Sequence, residues 1–347
     1  MYLQSVRLGN NFYNKQSVRS GTLRGYAEAV NRLFSLRGMP LPYDPDNKCN
    51  DSTAAISNLA DEETIALQRE PLTEEMAAEC IRSGKQAHQD SAESLTANIV
   101  CLARYIGPRL SEYAQAQQKK ITYHTWGSGT KIVRSWIPQD FKFYDKNGDD
   151  IHLHRRSSDE IFNLYQTMHY MKIIWRIQKN RKNGQSIKLP VDKNHTDLCP
   201  VYNALQIVMR KVRLDHQNMD TPVCVYANRN SSSPLYLTGS KVKKFIQDAI
   251  DKVNPTMSDE DRQKYSAHSL RVWACVLLDQ AKKPPSFIKQ RLRWQGDSYR
   301  LYLRDTLHQS HSHRDALFAN TNEIISAIGA PEGGTFDTSS NLHDEED

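Results

Sequence analysis

The 347-residue sequence has no apolar run approaching the roughly 20 residues that span a bilayer, which excludes a helical membrane span. Its opening, MYLQSVRLGNNFYNKQSVRSG, has no signal-like apolar core, so the expectation is an intracellular protein, nuclear if its host is eukaryotic. The cysteines, Cys49, Cys80, Cys101, Cys199, Cys224 and Cys275, are scattered without any C-x-x-C pair, which argues against a disulfide framework or a zinc site. No internal repeat is present. The last 17 residues, PEGGTFDTSSNLHDEED, lack Lys and Arg altogether and hold six acidic side chains. The net charge of +6 therefore hides a body at +12, which suits a polyanionic partner bound through phosphate contacts and counterion release.

Helical periodicity dominates what is present. Leu23, Tyr26, Val30, Leu33 and Phe34 recur at helical spacing in TLRGYAEAVNRLFSLRG, which Gly38 ends. Residues 46–69 are polar, part helix and part linker. Thr73 is placed to cap a helix carrying Met76, Cys80 and Ile81. A helix over 92–106 buries Leu95, Ile99, Val100, Leu102 and Ala103, and another is expected over 110–117. ITYHTW, KIVRSWI and DFKFYD read as strands, and a short helix is expected near 158–168. YMKIIWRIQ and SIKLPV flank Asn183-Gly184, the strongest hairpin signal of the chain. Helices are then expected over VYNALQIVMRKVRL, over SKVKKFIQDAIDKV with Ser240 as cap, and over 266–279, 284–293, 297–307 and 315–328; PVCVYA reads as a short strand. The fold class is thus mainly α with a small antiparallel β-sheet (α+β). The expected division is a helical region over 1–70, a principal domain over 71–330 and a solvated acidic tail over 331–347.

The candidate chemistry lies in four places. His268 and Arg271 stand three apart on a helix whose neighbours Leu270, Val272, Trp273 and Val276 are apolar, where buried charges need partners. Arg109 sits in Gly107-Pro108-Arg109-Leu110-Ser111-Glu112, at a helix start where backbone N–H groups can face an anion. Lys179, Arg181 and Lys182 occupy the hairpin. Trp294, Tyr299 and Tyr302 follow near the C-terminal end. Each alone is compatible with a plain structural role. Together they supply what metal-free phosphoryl transfer needs: cations for a phosphate, a proton carrier and a hydroxyl nucleophile. His308, His311 and His313 have no Cys or carboxylate cluster to complete a metal site and are assigned to solvent.

In order and setting, these residues resemble the tyrosine recombinases, the phage-integrase family of DNA strand-exchange enzymes. That family places an Arg in a G-x-R-x-S-E-like element, then a hairpin Lys, H-x-x-R, His or Trp, and Tyr. The match runs from about residue 71 to 310, with Arg271 and Tyr302 separated by 31 residues. TLRGYAEAVNRLFSLRG and Pro71-Leu72-Thr73 also resemble recombinase-like sequences of eukaryotic mobile elements and algal genomes. Two features depart from the pattern. Trp294 stands where most bacterial members carry His, and the 159 residues from Arg109 to His268 imply an insertion among the strands at 121–175. The N-terminal region is also short for a complete DNA-clamping domain. The resemblance implies catalytic roles for Arg109, Lys179, His268, Arg271, Trp294 and Tyr302, with Lys182 and Tyr299 as alternatives. It implies DNA contacts from Arg181, Lys182, Lys241, Lys243 and Lys244, double-stranded DNA as partner, a tetramer on DNA, and no metal or other cofactor. A topoisomerase-like relaxing enzyme and a non-cutting DNA-binding protein of the same fold are the alternatives.

Overall fold

The computed structural model describes residues 20–44, 46, 51–61, 68–126, 128–153, 161–178 and 182–303. The chain divides into two compact units, Met1–Gln68 and Arg69–Asp347. In the first, α1 (Ser20–Ser35) and α2 (Asp51–Asp61) pack together through Leu23, Ala27, Tyr43 and Ile56. Gly38, at φ +64°, takes the left-handed conformation that ends this kind of helix at low steric cost.

The second unit is built around α4 (Ala92–Ile106), whose limits are those expected from the sequence. Ser91 caps its start by accepting from Ser94 N at 3.1 Å, and Gly107 closes its end. Leu95, Ile99, Leu102, Ala103 and Ile106 are fully buried, because α3 (Glu74–Gln86), α7 (Pro200–Asp215), α8 (Gly239–Val253) and α10 (Ser269–Gln280) surround α4. Thr73 caps α3 as expected, accepting from Met76 N at 3.2 Å. A one-turn helix α5 (Leu110–Tyr113), α6 (Ile161–Thr167), α9 (Asp259–Gln263) and α11 (Pro285–Leu292) complete the helices described.

The strands are short and antiparallel. β1 (Tyr123–Thr125) pairs with β2 (Lys131–Val133), and β6 (Val225–Tyr226) with β7 (Leu235–Tyr236). β3 (Phe141–Asp145), β4 (Met168–Trp175) and β5 (Gln185–Pro190) form a sheet in that order. Its period-two pattern puts Phe141, Phe143, Met171, Ile173, Trp175 and Leu189 into the core. Lys142, Lys172 and Lys188 stand in register on the other face. The unit is therefore mainly α with small antiparallel sheets, the class read from the sequence. Among the described residues no helix is long and apolar enough to cross a membrane.

Three local expectations are corrected. The helix expected over 110–117 stops at Tyr113, because the chain turns extended and Gln115 N donates to Leu237 O at 2.8 Å. Thr238, not Ser240, caps α8: Leu237 is still tied to Cys224 O at 3.0 Å, so the helix starts directly after it. Residues 297–301 form a 3₁₀ helix, held by i→i+3 bonds such as Tyr302 N to Tyr299 O at 2.9 Å, where an α-helix over 297–307 is expected. Residues 304–307 of that expected helix, the helix expected over 315–328, and His308, His311 and His313 lie outside the described residues.

Candidate active site

Gly107 joins the end of α4 to the turn carrying Arg109, and its backbone φ of +45° favours glycine. A Cβ here would lie 2.8 Å from Leu292 Cδ2 and 3.1 Å from Ala274 Cβ. The turn is therefore pressed directly onto α10 and α11, and the Gly107 carbonyl accepts from Arg271 Nη1. Gly107→Ala combines a left-handed alanine with a steric clash, and is expected to cost about 2 kcal/mol or more in chemical denaturation. An unchanged denaturation midpoint would refute this close packing.

Arg271 lies in the first turn of α10 and is 2% exposed. Its guanidinium donates to the Gly107 and Leu292 carbonyls and lies 4.4 Å from the centre of the Trp294 ring. Burial pushes it down to about 9, with repulsion from Arg109 and Arg293 adding to the effect; it remains cationic at neutral pH. Arg109 donates from Nη1 to Glu112 Oε1 at 3.2 Å and from Nη2 to the Arg293 carbonyl at 2.9 Å. The two guanidinium groups are thus tied to the consecutive carbonyls of Leu292 and Arg293. The Arg109 backbone N–H is itself taken by Glu112 Oε2 at 3.0 Å, so the one-turn helix does not offer it to an anion as expected.

Beneath this pair lies a layer that the motifs do not mark. Glu112 Oε2 accepts from Arg293 Nη2 at 2.8 Å and from Trp175 Nε1 at 3.1 Å. The Arg293 side chain is fully buried, 3.9 Å from the centre of the Trp175 ring, and donates to the Ile106 carbonyl at 3.2 Å. Arg293 holds a left-handed φ of 59° at the end of α11. Burial alone would push the Glu112 carboxyl up, but the charges of Arg293, Arg109 and Arg271 outweigh it and hold the group below its ordinary value. Among the described residues three guanidinium charges face one carboxylate, so the cluster keeps net positive charge for an anion. The available sequence signal was an Arg immediately before Trp294 and a Glu three residues after Arg109.

His268 caps α10, its backbone N–H donating to Ser266 Oγ at 3.2 Å. Its Nε2 lies 3.0 Å from Tyr302 Oη. Burial, then the charges of Arg271 and Arg69, lower its pKa below the ordinary imidazole value. Neutral, and with its proton on Nδ1, the ring can accept the phenolic hydrogen. Trp294 stacks on Tyr302, with ring centres 5.4 Å apart and planes at 22°. Tyr299 is instead buried with Ala274, Cys275, Ile288 and Leu292. The structure therefore brings Arg109, His268, Arg271, Trp294 and Tyr302 together, and directs Tyr299 into apolar packing.

The hairpin is found, with a longer connection than a two-residue turn. Trp175 pairs with Gln185 as the last register pair. Asn183 Oδ1 accepts from Gln178 N at 2.8 Å, and Gly184 has φ +80°. Arg176 anchors the loop's base, donating to both Asp140 oxygens and to the Ser135 carbonyl. Lys182 is exposed on this loop, its carbonyl accepting from Gln178 Nε2 at 2.6 Å. Lys179 and Arg181 lie outside the described residues. Lys241 and Lys244 are exposed and Lys243 half-buried on α8. The start of α8 abuts the Arg109 element, since a Cβ on Gly239 would lie 2.8 Å from Leu110 Cδ2.

Neither a family model nor a curated protein matches the chain. Solved structures resembling it include a Tn1549 transposon integrase in complex with transposon right-end DNA, at 13% identity and TM-score 0.44, covering 90% of this chain and 83% of that one. The same integrase in complex with circular-intermediate DNA gives 12% identity and TM-score 0.42, covering 90% and 82%. The XerH site-specific recombinase bound to its difH substrate gives 12% identity and TM-score 0.39, covering 90% and 74%.

Proposed function

We propose that the chain is a tyrosine recombinase that cuts and rejoins DNA through a covalent 3′-phosphotyrosine. The observation that carries this reading is the Tyr302 hydroxyl, 3.0 Å from a half-buried imidazole and beside a cluster of guanidinium groups in cationic excess. Arg109 and Arg271 grip the non-bridging oxygens of the scissile phosphate, because a planar, permanently charged fork suits them. Tyr302 Oη attacks phosphorus, its proton passes to His268, and the bond from phosphorus to the 5′-oxygen breaks. A hairpin lysine, Lys179 or Lys182, protonates that oxygen, and Trp294 supports the tyrosine ring. Religation by a 5′-hydroxyl reverses the step, so the phosphodiester energy is conserved and the scheme calls for neither metal nor ATP. Assembly is as a tetramer on duplex DNA, with Lys241, Lys243 and Lys244 contacting its backbone.

Incubation with a nicked suicide duplex tests the reading, because loss of the short strand traps the covalent species. A detergent-resistant protein–DNA adduct is expected. Its absence on every duplex tried would leave a DNA-binding protein without cleavage, and an adduct with relaxation but no exchange between two sites would give a topoisomerase.

Two further results are expected. Arg271→Lys should slow adduct formation about 10²–10³-fold while the fold persists, because an ammonium cannot serve both carbonyls and the phosphate; a rate within about threefold of wild type would remove Arg271 from the scheme. Because the lowered His268 pKa keeps the ring neutral down to more acidic pH, the acid limb of the cleavage rate should lie below 6.5. A limb centred above that value would exclude His268 as the proton acceptor.

A further inference from the structure

We propose that the outer face of the three-stranded sheet is a second nucleic-acid surface, which takes the sugar–phosphate backbone of a duplex and is separate from the site around Tyr302. Lys142 pairs in register with Lys172, and Lys172 with Lys188, giving an unbroken row of lysines across β3, β4 and β5. Like charges directly opposite one another destabilise a sheet, and lysine is a poor strand former. The row therefore works against the fold that carries it, and an anionic ligand is what would offset it. Only Lys142 has a carboxylate partner among the described residues, Asp150 at 3.7 Å; Lys172 and Lys188 have none.

The adjoining row is aromatic. Tyr144 is in register with Tyr170, their rings stack at 4.7 Å and 15°, and Lys188 Nζ lies 5.2 Å from the Tyr170 ring centre. A groove of about 660 Å³ opens beside them, lined by His169, Tyr170, Lys188, Pro190 and Lys193. The acids nearby are engaged locally: Asp192 accepts from the Asn194 and His195 backbones and lies 3.0 Å from His195 Nδ1, and Asp145 accepts from the Asn147 and Asp149 backbones.

The form of the face selects its partner. Strands lie about 4.8 Å apart, so the three lysine backbone positions span roughly 10 Å across the sheet. A duplex presents a rigid, dense line of phosphates, about one charge per 1.7 Å of axis, with no ordering cost; an acidic peptide would have to be ordered on the face. β4 and β5 also run directly into the loop bearing Lys182, so one hairpin joins this face to the other.

The test uses the full chain and a fluorescent duplex of arbitrary sequence, with affinity measured across a salt series. Lys172→Gln combined with Lys188→Gln should weaken binding several-fold and reduce the slope of log K against log salt by about 2, near one per lost phosphate contact. Lys172→Arg with Lys188→Arg should retain the wild-type slope. A slope unchanged in the glutamine variant, or an equal loss of affinity for poly-glutamate and duplex, would overturn the proposal. Adduct formation is read separately on a short nicked duplex. If the wild type forms no adduct but the slope still falls, the cleavage reading fails and this surface stands.

Discussion

Tyr302→Phe is expected to abolish the covalent adduct while leaving the fold and DNA affinity intact. Phenylalanine preserves the ring that stacks on Trp294 and removes only the hydroxyl facing His268. The neighbouring Tyr299 offers no comparable nucleophile: it is 2% exposed and packs beside Cys275 and Ile288. The 3₁₀ geometry places the two tyrosines one turn apart on a single side, which leaves Trp294 6.2 Å from one ring and 5.4 Å from the other. Tyr299→Phe should therefore keep adduct formation within a few-fold of wild type. Denaturing gel electrophoresis after incubation with nicked duplex reads both variants. An adduct persisting in Tyr302→Phe and lost in Tyr299→Phe would transfer the role to Tyr299 and remove the basis of the proposed proton path.

The second large effect is on stability. Glu112→Gln removes the carboxylate that sits among three guanidinium groups, two of which, Arg271 and Arg293, are almost completely buried. Removing one partner of a buried pair strands the other's charge, at about 3–5 kcal/mol. For a unit of this size the melting temperature should fall by on the order of 10 °C. Combining Glu112→Leu with Arg293→Met removes both charges, so the double variant should lose less than the sum of its parts. Additive losses in calorimetry would mean that the pair does not act as a unit. The sign with pH follows from the depressed Glu112 pKa: its contribution is complete above the ordinary carboxylate range and is lost as pH falls through the depressed value.

The elements written locally in the sequence were the legible ones. Gly107 ends α4 and Thr73 starts α3, because caps act within three or four residues. Arg109, His268, Arg271, Trp294 and Tyr302 could be picked out as a set because their order and settings matched a pattern. The buried layer escaped for a different reason. Trp175 reaches Glu112 across 63 residues and Arg293 reaches it across 181, and no periodicity encodes contacts of that range. The Ser240 cap and the long helix after Asp297 failed where tertiary ties overrode local preference. Leu237, fully buried, fixes the chain just before Thr238, and the anchoring of Tyr299 holds the last turn in 3₁₀ form.

The left-handed backbone at Arg293 has a consequence for how the site comes into being. A non-glycine residue pays for that conformation locally, and in this chain the return comes from Glu112, far away in sequence. The turn that aims the 292 and 293 carbonyls at Arg271 and Arg109 is therefore secured only after the two ends of the unit have met. Contacts of such separation form late, since loop closure must precede them. Nascent or partly unfolded chains should thus hold the right residues without a phosphate-binding arrangement, making the site an all-or-none product of the finished fold.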